Sequence, residues 1–137
     1  MADLILISGV NLAEVPVNLL PLIDDTDFKS IESSVAYNAA GLTLLWNFVD
    51  LNGNMSQTAV TPTTGGVYDW SNQGNGMYAI EIPASGGGSI NNNSTGFGWF
   101  TGVATGVLPW RGPVIILAAA GDAGERLQNW GVYVDWP

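Results

Sequence analysis

Turn chemistry recurs so often along this chain that no stretch between two turns is longer than a strand. Asp24-Asp25-Thr26-Asp27, Asn52-Gly53, Pro62 with Gly65-Gly66, Asn72-Gln73-Gly74-Asn75-Gly76 and Pro83 punctuate it at short intervals. Gly, Pro, Asn and Asp each favour turns, through positive φ, a fixed φ or side-chain bonds to the local backbone. Between these points the pattern alternates with the period of two that belongs to strands. Thr43–Asp50 is the clearest case, with Leu44, Trp46 and Phe48 on one face and Thr43, Leu45, Asn47 and Val49 on the other. Two apolar faces predict a central strand, and Asn52-Gly53 predicts a tight type I′ return into Met55–Val60. Met77–Ile82 places Tyr78, Ile80 and Ile82 together.

Further strands are expected at Leu4–Val10, at Val15–Leu20 with Pro16 at an edge or strand start, and at Ser34–Asn38 with Val35 and Tyr37 on one face. Gly98–Val103 and Val114–Ala119 complete the core set. Pro109-Trp110-Arg111-Gly112-Pro113 reads as an interruption, because proline removes a ladder donor. Residues 85–95 read as a flexible Gly/Ser/Asn loop and 121–137 as a C-terminal tail. Asp122 and Glu125 have capping-box spacing, so at most one short helical turn is expected near residues 122–128. Seven or more short strands with few helix signals predict an all-β, immunoglobulin-like antiparallel β-sandwich, a single domain over 1–137.

At 137 residues the chain can bury a core without a disulfide or metal, and it contains no cysteine and no histidine. That removes Ser-His-Asp and Cys-His catalysis, thiolate zinc sites and the commonest general base. Charged residues are 11% of the chain, against about 25% in ordinary soluble domains. Not one lies between Glu81 and Arg111. A surface so poor in charge suits a subunit that faces other protein, because charge is depleted from interface cores. The net charge of −9, with only Lys29, Arg111 and Arg126 positive, argues against nucleic acid and anionic membrane as partners. No basic n-region precedes Leu4–Ile7, and the longest apolar run, Val114–Ala120, is far below a membrane span. The expected place of synthesis and assembly is a cytoplasm.

Few groups could carry chemistry. Asp69 and Glu81 are the carboxylates a glycoside hydrolase would need, but turn and strand placement explains both. Asp24, Asp25 and Asp27 offer oxygen ligands for calcium, yet lack the EF-hand pattern and read as turn formers. Lys29 lies beside Asp27 and Glu32, where an ion pair is expected. Gly86-Gly87-Gly88-Ser89 lacks the lysine of a phosphate loop. Asn92-Asn93-Ser94 and Asn93-Ser94-Thr95 match the glycosylation pattern but read as a polar loop. No catalytic residue, cofactor or metal ligand is therefore assigned. The chain has six tryptophans. Aromatic and Arg side chains are favoured interface anchors, so Trp99, Trp110, Arg111, Trp130 and Trp136 are the candidate contact residues, with Trp110-Arg111 as the preferred patch. Capping of the core ends by the same rings is the competing reading.

Asp69-Trp70 followed by Gly74-Asn75-Gly76-Met77-Tyr78-Ala79-Ile80-Glu81-Ile82-Pro83 resembles small immunoglobulin-like domains in virion proteins of tailed bacteriophages, especially those at the tail tip or the base of tail fibres. Gly96-Phe97-Gly98-Trp99-Phe100, Leu108-Pro109-Trp110-Arg111-Gly112-Pro113, and Val15-Pro16-Val17-Asn18-Leu19 before Asp24-Asp25-Thr26-Asp27-Phe28 share the resemblance, which spans roughly Leu4 to Ala119. It implies a non-enzymatic attachment or scaffold role in the virion, with other virion proteins as partners, and transfers no active-site residues. Members often continue into a longer fibre or binding region, whereas this sequence stops at Pro137, so a tail adaptor and a capsid decoration protein are both expected roles. Self-association into a homo-oligomer is expected with either. A carbohydrate-binding module, using Trp99, Trp110 and Trp130 against a glycan, is the alternative.

Overall fold

Inward-facing apolar residues from two sheets make the core of the structure, a computed structural model that describes residues 4–85 and 89–119. Nine strands form: β1 (Leu4–Ile7), β2 (Leu12–Pro16), β3 (Thr43–Asp50), β4 (Met55–Val60), β5 (Trp70–Gly74), β6 (Met77–Ile82), β7 (Gly96–Ala104), β8 (Val107–Arg111) and β9 (Ile115–Ala118). The larger sheet has the order β1-β9-β7-β3-β4, with β8 also on β7, and the smaller has the order β2-β6-β5. All pairs are antiparallel except β1–β9. This is an immunoglobulin-like sandwich, in which a sheet built around two long central strands faces a three-stranded one. The expected helical turn at 122–128, the tail 121–137 and Gly86–Gly88 lie outside the described residues.

β3 is central as its two apolar faces require, between β7 and β4. Leu44 and Trp46 are buried against Phe100, with the Trp46 and Phe100 rings 4.8 Å apart. From the other sheet Tyr78, Ile80 and Ile82 project into the same core. The inward positions of β7 run Gly96, Gly98, Phe100, Gly102. The small ones make room for rings: a Cβ on Gly98 would stand 2.5 Å from the Trp46 ring, and one on Gly102 would overlap the Trp110 indole.

The turns depart from expectation in an informative way. Asn52-Gly53 does not form a type I′ turn. The Gly53 N–H donates to the Asp50 carbonyl, and among the turn residues only Gly53 has positive φ. That is a three-residue return with the glycine in the left-handed region. Asp50 favours it by accepting N–H bonds from Asn52 and Asn54 (2.9 and 3.0 Å). The two-residue return with both φ positive occurs instead at Asn75-Gly76, between β5 and β6.

Three strand expectations are corrected. The strand expected at Val15–Leu20 is instead β2, Leu12–Pro16, an edge strand that Pro16 ends. Residues 34–38 do not form a strand. Val35 is buried while Tyr37 is exposed, and the segment is tied down from outside: Tyr78 Oη accepts the Val35 N–H (3.0 Å) and Trp70 Nε1 donates to the Val35 carbonyl (2.9 Å). Residues 109–111 do lie in a strand, β8. Strands β8 and β9 both pair with β7, in registers that differ by one residue on either side of Gly112-Pro113. They are one return strand broken by that dipeptide, and Pro109 is accommodated where β8 gives way to a loop on its far side.

Candidate functional site

The sandwich should be dry inside and wet outside, and the outer face of the large sheet breaks that rule. On an antiparallel sheet with one solvated face, outward positions are normally polar. Here the register aligns Ile5, Ile116, Phe97, Val49 and Met55 in one row across all five strands of the path. Phe97 is 41% exposed and Met55 55%. The adjacent row is Trp99, Asn47 and Gln57, followed by Thr101, Leu45 and Ala59. None of these outward positions carries a charge, on a chain whose net charge is −9.

Asn47 shows how crowded this face is. It points outward yet is 1% exposed. Its amide donates to the Trp99 carbonyl (3.2 Å) and the Thr101 hydroxyl (3.3 Å), while its carbonyl accepts from Gln57 Nε2 (2.8 Å). The polar row is thereby satisfied internally and presents little unspent hydrogen-bonding capacity. Phe97 and Trp99, two residues apart on β7, hold their rings nearly parallel, with centroids 6.3 Å apart and planes inclined by 19°.

Trp110 and Arg111 belong to a second feature, an apolar groove of about 360 Å³ between β8 and residues 19–23. The two segments are tied only at their ends, where Leu19 N–H donates to the Arg111 carbonyl and Leu108 N–H to the Ile23 carbonyl (both 2.9 Å). Between these ties stand Pro21 and Pro109, which have no N–H to give, so the ladder opens. Leu20 is 72% exposed at the groove rim. Trp110 packs over Gly102 with its Nε1–H buried and unpartnered among the described residues. It also lines a shallower depression with Leu45, Thr101 and Val103 on the outer face.

The structure therefore places Trp110 and Arg111 together at the groove and Trp99 on the outer face, while Trp130 and Trp136 lie outside the described residues. The outer apolar row was not singled out from the sequence. Its members are far apart in the chain, and only strand register aligns them.

Other candidates are absorbed into the scaffold. Glu81 accepts from the Tyr68 N–H (3.2 Å) and the Asn11 amide (3.0 Å), and Asp69 from the Gly65 N–H (2.7 Å). In the 24–30 turn Asp24 accepts from the Thr26 hydroxyl and N–H, and Asp27 from the Ser30 hydroxyl and the N–H groups of Lys29 and Ser30. These bonds, led by the two hydroxyls, hold both carboxyls below the usual range. Glu32 lies against Asp24, and that hydrogen bond, with burial and the neighbouring negative charges, pushes its carboxyl up. Among the described residues turn capping thus takes the place of the ion pair expected for Lys29. Asn92 of the glycosylation pattern is fully buried and hydrogen-bonded. Among the described residues no helix is long and apolar enough to cross a membrane.

Set beside known proteins, the chain matches no family model, no curated protein and no solved structure.

Proposed function

We propose that the protein is a non-enzymatic structural component of a tailed-bacteriophage particle. In this reading it binds other virion proteins as a tail-tip or fibre-attachment adaptor or as a capsid decoration protein, and self-associates. One observation carries the binding role: a charge-free apolar row spanning five strands on the outside of the sandwich. Contiguous exposed apolar surface marks interaction sites. Here it belongs to a chain of net charge −9, yet no position of the row is acidic. The Trp110 groove supplies an apolar pocket for an anchoring side chain. The particle location rests on the resemblance of the 69–83 and 96–113 segments to virion immunoglobulin-like domains. Engagement of Asp69 and Glu81 in scaffold hydrogen bonds supports the non-enzymatic reading.

The test is co-sedimentation of the purified chain with tailed particles produced from the encoding genome, together with immunogold labelling of those particles. Wild type is expected to bind and the Phe97→Asp variant to lose binding while keeping its circular dichroism. A folded wild-type chain that neither co-sediments nor labels the particle overturns the proposal. The near-parallel Phe97–Trp99 pair on the outer face favours one second reading, aromatic rings on which sugars stack. Binding on a glycan array that disappears in Trp99→Ala would select that reading, and an empty array would remove it.

A further inference from the structure

Every open sheet has edges, and exposed edges recruit strands unless something blunts them. The described edges of this sandwich are treated unequally. β2 carries Glu14 and Pro16 and a register break between Leu12 and Val15. β5 is bulged between Asn72 and Gly74, and the 33–35 segment lies along it, receiving hydrogen bonds from the Asn72 amide (2.8 Å) and Trp70 Nε1. β8 is tied on its far side to Leu19 and Ile23. β1 is only four residues long.

β4 has none of these protections. It pairs with β3 in unbroken register from Val49↔Met55 to Leu44↔Val60, and it contains no charge, proline or bulge. The hydrogen bond from Asp50 N–H to the Asn54 carbonyl (3.1 Å) sets the phase of the ladder. Residues 54, 56, 58 and 60 turn their backbone groups toward β3, so those of Met55, Gln57 and Ala59 point to the open side. No other backbone hydrogen bond reaches them among the described residues.

We infer that a second copy of this chain occupies the edge, β4 pairing antiparallel with β4 about a two-fold axis at Gln57. The inference deepens the self-association in the proposed function and is independent of the particle location. A two-fold axis perpendicular to the sheet keeps the same face outward on both copies and pairs residues whose numbers sum to twice 57. Met55 then lies opposite Ala59, a large side chain beside a small one, and Ser56 lies opposite Thr58, a favourable cross-strand combination. Gln57 meets its own copy, with its side chain already turned back onto Asn47. About six backbone hydrogen bonds would form across the axis. No acidic residue opposes another, although the two chains together carry strong negative charge. A partner chosen by charge would find nothing to read on this edge, whereas an identical uncharged strand complements it. Because Met55 meets Ala59, the joined sheets would continue the apolar row of each copy into the Thr101–Leu45–Ala59 row of the other.

Three variants test this. Because the chain has no cysteine, Gln57→Cys introduces a single thiol at the axis. A hydrogen-bonded antiparallel pair spaces its Cα atoms at about 5.5 Å, within disulfide range. Ser56→Cys would set its two thiols roughly 8 Å apart at Cα, beyond it. Ala59→Pro deletes an outward N–H in each copy without touching the β3 ladder. The expected results are a wild-type dimer in sedimentation velocity, a reducible covalent dimer for Gln57→Cys and not for Ser56→Cys, and a dissociation constant raised about a hundredfold by Ala59→Pro. A wild-type monomer at all concentrations overturns the inference, including one whose edge is filled by its own tail. Equal cross-linking by both cysteines, or by neither, also overturns it. Particle binding is read separately through Phe97→Asp, so failure of one does not imply failure of the other.

Discussion

Asn92 is the side chain whose removal should report most directly on how this sandwich is closed. It is fully buried, and its amide donates to the carbonyls of Val10 (2.6 Å), Ile82 (3.1 Å) and Pro83 (3.2 Å), while its carbonyl accepts the Gly9 N–H (2.7 Å). One residue thus joins the β1–β2 turn to the end of β6. In Asn92→Ala the Gly9 N–H keeps the Asn92 backbone carbonyl and the Pro83 carbonyl keeps the Asn92 N–H. The carbonyls of Val10 and Ile82 lose their amide donor. At about 1–3 kcal/mol for each stranded group, plus a small cavity, the expected loss is about 3–5 kcal/mol. A domain of this size should then melt about 10–20 °C lower. Asn92→Asp keeps the shape and replaces donors by acceptors, so it separates hydrogen bonding from volume. Burial and the facing carbonyls should raise the introduced carboxyl's pKa in the folded state. The penalty is then largest above that pKa and shrinks as pH falls through it, whereas the alanine variant loses the same amount throughout. Urea unfolding followed by tryptophan fluorescence at pH 7 and pH 4.5 measures both. A loss below about 1 kcal/mol for N92A, or no pH dependence for N92D, would refute the account.

Trp70→Phe should cost about 1–2 kcal/mol more in chemical denaturation than Trp110→Phe, because Trp70 Nε1 donates to Val35 and Trp110 Nε1 has no partner among the described residues; equal losses would contradict this. Gly98→Ala should destabilise by about 2–3 kcal/mol, since the new methyl meets the Trp46 ring and the Asn47 carbonyl at 2.5–2.6 Å; a neutral result in thermal unfolding would show that β3 and β7 can part. Asp24, Asp27 and Asp50 have lowered carboxyl pKa values, Asp50 chiefly through the Asn54 N–H, so their stabilisation is present above the ordinary carboxylate range and is lost as pH falls through their folded values. Glu32 is raised and has the opposite sign, so Glu32→Gln should increase the melting temperature at pH 7 with the gain vanishing near pH 3; a gain that persists in acid would remove the repulsion argument.

Much of the fold was legible because its signals are local. The alternation in Thr43–Asp50 and Met77–Ile82 follows from the two-residue period, and both strands form over those residues. The turn residues named the breaks but not always the geometry. Asn-Gly suits several hairpin returns, and the Asp50 carboxylate selected the three-residue form at Asn52-Gly53. The 34–38 segment alternates like a strand, yet its backbone groups are claimed by Tyr78 and Trp70, residues remote in the chain. At 109–113 proline weakened the strand signal, while β7 provided a partner that accommodates a break.

For the candidate site the division is sharper. Trp110 and Arg111 could be singled out because aromatic and Arg residues are rich in binding potential wherever they occur, but the groove depends on two prolines in separate segments facing one another. Composition alone established a chain without histidine, cysteine or much charge, and hence what chemistry it lacks. Tertiary structure alone decided that Ile5, Ile116, Phe97, Val49 and Met55 share one row and that β4 is the edge left open among the described residues. Register and strand order are properties of pairing between distant segments, and a pattern read along one chain specifies which face a residue takes but not which neighbour it meets there.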